Sequence, residues 1–113
     1  MASFEEAMAE LTAEMGKLGI EGYDADLLSK IAKSQGPSIY LEDAKRVSCS
    51  DPEELARVKN NFLVKKLGMA DEASLDDAIK AVCEQLGTSN RNKFRIIFYY
   101  LLTKNLGKES VFA

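Results

Sequence analysis

Residues 94–102, FRIIFYYLL, put apolar side chains around the whole circumference of any helix they form. Phe94, Ile97, Phe98, Leu101 and Leu102 make one stripe at helical spacing, and Ile96, Tyr99 and Tyr100 carry it round to the other side. A helix apolar nearly all round is stable only when it is buried on several sides. The rest of the chain must therefore supply helices that surround it, or a second copy must share in covering it. The second option makes Ile96, Tyr99 and Tyr100 candidate interface residues of a homodimer, because tyrosine joins an apolar ring to a hydrogen-bonding tip.

The surrounding helices are legible from their caps. Ser3 opens a segment to about Leu18 whose apolar residues Phe4, Met8, Leu11, Met15 and Leu18 follow heptad steps. Asp24 caps a second helix through about Ser34, with Leu27, Leu28 and Ile31 facing in. Asp51, Pro52 and Glu54 begin a third in the manner of a capping box, and Lys65 and Lys66 close it before Gly68. Ser74 is expected to cap a fourth that carries Leu75, Ala78, Ile79, Val82, Cys83 and Leu86 inward and stops at Gly87. The last helix is expected from about Asn90 to Leu106. Gly36 and Pro37 turn the region after the second helix into a bent connector over 38–47. No segment alternates with period 2, so the fold class is all-α: residues 1–113 as one domain, a bundle of about five helices with the last one central. In the tail GKESVFA, Val111 and Phe112 are apolar enough to fold back onto the bundle.

The start of the last helix poses an electrostatic question. Arg91, Lys93 and Arg95 stand where the helix dipole favours anions, at a cost of about 0.3–1 kcal/mol each when nothing compensates. Residues 1–26 hold seven acids against one lysine, while residues 88–113 hold five cations against one acid. That asymmetry favours pairing between the last helix and carboxylates such as Glu6, Glu10 and Glu14. The competing reading is a binding site for an external anion or nucleic-acid phosphate built from Asn90, Arg91, Lys93 and Arg95, with Thr88 and Ser89 adding cap oxygens.

Other chemistry is thinly represented. Histidine is absent, which removes the commonest general base and transition-metal ligand. Cys49, beside Asp51, Glu53 and Glu54, is disfavoured as a nucleophile, and Cys83 lies in a core stripe as a small hydrophobe. The two thiols lack CxxC spacing and fit a reducing compartment, with a single bridge between them left open. Glu53/Glu54 and Asp76/Asp77 are explained by helix first turns, and GKLGIEG lacks the spacing of a phosphate loop. No catalytic residue, metal ligand or cofactor is expected. The acidic, interrupted N-terminus is expected to be neither signal peptide nor membrane span, which points to the cytoplasm.

The segments SCSDPEELARVKNNFLVKKLG, LDDAIKAVCEQLG, NRNKFRIIFYYLL and GKESVF, spread over residues 36–113, resemble a bacterial family catalogued as domain of unknown function 2853. The resemblance implies a small all-helical protein and carries over no site residues. The first expectation is thus a non-enzymatic protein-interaction or structural module, homodimeric and with an unidentified protein partner. The alternative is an anion- or nucleic-acid-binding module.

Overall fold

The computed structural model describes residues 3–20, 22–36, 40, 46–70, 72–87, 90 and 93–112. Among these, five α-helices occur: α1 Phe4–Lys17, α2 Ala25–Ser34, α3 Pro52–Arg57, α4 Ala73–Leu86 and α5 Arg95–Asn105. A π-helical segment, Val58–Val64, continues directly from α3, and a short 3-10 turn, Glu109–Phe112, follows α5. The expected caps hold for the first three helices: Ser3 Oγ accepts from Glu6 N–H at 3.1 Å, Asp24 Oδ1 from Leu27 N–H at 3.1 Å, and Asp51 Oδ1 from Glu53 N–H at 3.0 Å.

The centre of the bundle is α5, packed against α1, α2 and α4. Ile96 to Thr103 are all buried along it. Ile96, Tyr99 and Tyr100 are only 2–4% exposed within the chain itself, so its own helices account for the apolar circumference without a second subunit. The polar tips of the tyrosines are satisfied internally. Tyr100 Oη accepts from the backbone N–H of Asp24 at 2.8 Å, tying the central helix to the cap of α2. Tyr99 Oη accepts from Arg95 at 3.1 Å.

The widened turn after α3 delivers Phe62 to that centre. Within and beyond Val58–Val64 the backbone uses i to i−5 bonds, including Lys65 N–H to Asn60 O at 3.2 Å and Leu67 N–H to Phe62 O at 2.9 Å. The Phe62 ring then lies flat on Tyr99, centroids 3.9 Å apart and planes 6° apart. Phe112 packs at 6.3 Å on the same ring and is buried, so the tail folds back as expected through that residue, while Val111 stays exposed.

Three local expectations are corrected. Glu54 does not close a capping box; its carboxylate turns to arginines. The cap position of α4 is Glu72, and Ser74 Oγ donates to the Glu72 carboxylate at 3.5 Å. The last helix begins at Arg95, not near Asn90, because Phe94 is extended and pairs with Arg46 in an antiparallel bridge. Val47 N–H donates to Lys93 O at 2.8 Å in the same contact. Asn90 serves the preceding helix instead: its side-chain amide donates to Leu86 O at 2.9 Å. Gly87, at φ +101°, makes the turn between them, and a Cβ there would also press on Asn90 at 3.4 Å.

Candidate functional site

The basic cluster divides. Arg95, 15% exposed at its side chain, reaches back to α3, where its guanidinium lies 2.5 Å from the Glu54 carboxylate. It also donates to Tyr99 Oη and to Arg46 O. Glu54 accepts from Arg57 as well, at 2.8 Å. Burial pushes the Glu54 carboxyl up, but the hydrogen bonds and charge of Arg57 and Arg95 outweigh it and hold the group below the usual carboxylate range. The compensation expected from α1 is therefore supplied to Arg95 by α3. Arg91, Thr88 and Ser89 lie outside the described residues.

Lys93 takes a different course. Its residue is 4% exposed, its ammonium donates to Asn90 O, and burial holds it below the usual lysine range. It faces a cleft of about 800 Å³ whose described lining is Arg46, Val47, Ser48, Cys49, Ser50, Lys80, Cys83, Glu84, Asn90 and Lys93. The lining comes from segment 46–50, from Lys80, Cys83 and Glu84 of α4, and from Asn90 and Lys93 ahead of α5. Arg46 is held with its guanidinium 5.1 Å from the Phe94 ring centroid, and Lys80 projects from the exposed side of α4. Glu84 is the one carboxylate among the described lining residues.

Beside the cleft, Cys49 and Cys83 are joined in a disulfide, with Cα atoms 6.0 Å apart and a sequence separation of 34. This replaces the expectation of two reduced thiols with the bridge that spacing had left open. The bridge fastens segment 46–50 to α4, beside the Arg46–Phe94 and Val47–Lys93 contacts. The sequence reading missed Arg46, Lys80 and the bridge as parts of one site, because the connector that brings Arg46 and Cys49 to α4 carries no periodic signal. Of its candidate anion residues, Asn90 and Lys93 line the cleft and Arg95 belongs to the ion pair with Glu54. The candidate interface residues Ile96, Tyr99 and Tyr100 are inside the bundle.

Among the described residues no group of three or more cysteines and carboxylates is placed to hold a metal ion, and no helix is long and apolar enough to cross a membrane. The family model described as "Protein of unknown function (DUF2853)" matches residues 8–110. No curated protein matches the chain.

Proposed function

The chain belongs to the family described as protein of unknown function (DUF2853), and since that description assigns no activity, we propose from the geometry that its residues 1–113 act as one helical domain that binds a small anion without transforming it. The observation that carries this reading is the convergence of Arg46, Lys80 and Lys93 on one cleft with the hydroxyls of Ser48 and Ser50. Its volume of about 800 Å³ falls within the range of small-molecule sites. An ammonium on Lys93, desolvated by its own fold, gains more from a nearby anion than an exposed lysine does. Asn90 is a positioning residue, since its carbonyl holds the Lys93 ammonium and its amide holds α4. A radius of gyration of 13.1 Å agrees with the value of about 13 Å for one domain of this length.

The homodimer reading loses the argument that Ile96, Tyr99 and Tyr100 gave it. The tyrosines that suggested an interface are buried, and the large exposed apolar side chains among the described residues are Tyr40 and Val111 alone. A cytoplasmic location remains the proposed one.

Calorimetric titration of the oxidised protein with inorganic pyrophosphate tests the reading. Saturable binding that weakens about tenfold in Lys80→Glu supports it, because Lys80 is exposed and its replacement leaves the core intact. Absence of binding, or equal binding by the variant, would overturn it.

A further inference from the structure

The wall of the proposed anion cleft is itself an electrophile, and we infer that the Cys49–Cys83 bridge exchanges with a small carboxylate-bearing thiol seated in that cleft. This rests on the anion-binding reading and names the ligand class of the same site.

Two features fix the direction of attack. Cys83 is 7% exposed on the inward stripe of α4, while Cys49 is half-buried between the exposed Ser48 and Ser50. A thiolate must approach along the S–S axis, opposite the sulfur that leaves. An incoming thiol therefore meets Cys49 Sγ, and Cys83 Sγ is the leaving atom. Lys80 lies three residues before Cys83, within one helical turn of it, and lines the same cleft. Its positive charge favours the departing thiolate, as basic neighbours do in general. Arg46 and Lys93, which line the cleft from outside α4, hold the carboxylates, while Glu84 sets the limit to how much negative charge the cleft accepts.

The step balances. The sulfur of the incoming thiolate bonds to Cys49 Sγ, the Cys49–Cys83 bond breaks with its electron pair on Cys83 Sγ, and that thiolate takes a proton from solvent. A second molecule of the same thiol then attacks the sulfur of the first, releases the Cys49 thiolate and leaves as the symmetrical small disulfide. Two thiols are oxidised and one protein bridge is reduced. Exchange of this kind also reconciles a disulfide with the proposed cytoplasmic location, where bridges are transient and redox-active more often than structural.

The test compares three thiols on the oxidised full chain: glutathione, which carries net negative charge, neutral 2-mercaptoethanol and cationic cysteamine, each normalised to its rate with hydroxyethyl disulfide. Glutathione should be favoured over cysteamine by about tenfold after normalisation. The preference should fall in Lys80→Gln and in about 1 M salt, where screening is nearly complete. Acid-quenched samples should carry the glutathione adduct on Cys49. No preference after normalisation, or an adduct on Cys83, would overturn the inference. Pyrophosphate titration of the same sample separates the two claims: binding without thiol preference overturns the exchange alone, and neither binding nor preference overturns the anion reading with it.

Discussion

Arg95 and Glu54 are separated by 41 residues in sequence and meet at 2.5 Å, the guanidinium of the central helix closing on a carboxylate from the first turn of α3. This contact resolves the conflict between a cation and the positive end of its own helix, since the compensating charge comes from another element.

Glu54→Gln and Arg95→Gln should each lower stability by about 1.5–3 kcal/mol, the range for a hydrogen bond to a charged group. The double variant should cost less than the sum. Denaturant titration of the four proteins measures the coupling, and additive losses would mean that the two side chains act independently.

The same pair gives the acid limb of the stability curve its shape. A carboxyl whose folded pKa is depressed contributes stability that is present above its unfolded value, about 4.3, and lost as pH falls through the folded value. Stability should therefore drop below about pH 4.5, and Glu54→Gln should flatten that drop. On the alkaline side Tyr99 and Lys93 oppose each other. Burial raises the Tyr99 phenol, so its contribution is lost as pH climbs past about 10, whereas burial lowers Lys93, whose penalty is relieved on deprotonation. Tyr99→Phe should expose the lysine arm as a gain in stability as pH rises toward the ordinary lysine value, about 10.4.

Phe62 and Phe112 form the second anchor of α5. Phe62→Ala should cost about 3–5 kcal/mol and Phe112→Ala about half as much, because Phe112 is less enclosed. Val111→Ser should change stability by no more than about 0.5 kcal/mol, since that side chain is exposed. Thermal melts of the three variants test the ranking, and a neutral Phe112→Ala would mean that the tail does not dock.

The architecture was readable wherever a cap or a period acts within a few residues. Ser3, Asp24 and Asp51 bond inside their own helices, and the circumference of α5 required burial whatever surrounded it. Contacts joining distant residues left no local trace. Glu54 looked like a capping residue because its position suits one, yet two arginines outcompete a backbone N–H for it. Asn90 looked like a helix start, but Phe94 is drawn into an extended bridge with Arg46 and postpones the helix to Arg95. The cleft was half visible, through Asn90 and Lys93, while Arg46, Lys80 and the bridge that completes its wall lie on segments whose meeting only the tertiary fold decides.

Removing the bridge should weaken the molecule without unfolding it. Closing a loop of this length contributes about 3.8 kcal/mol. Cys49→Ser/Cys83→Ala should therefore melt about 15 °C lower and keep its helical content. Calorimetry with circular dichroism tests this, and an unchanged melting temperature would mean that the remaining Val47–Lys93 and Arg46–Phe94 contacts hold segment 46–50 alone.

Binding of an anion by Arg46, Lys80 and Lys93 is read out by amide chemical shifts during titration of the oxidised protein with pyrophosphate. Saturable shifts that share one dissociation constant are expected at Val47, Ser48, Ser50, Lys80, Glu84 and Lys93, with their loss in Lys80→Glu. Absence of saturable change at those amides, or change confined to the surface around Asp24 and Glu109, would contradict binding in the cleft.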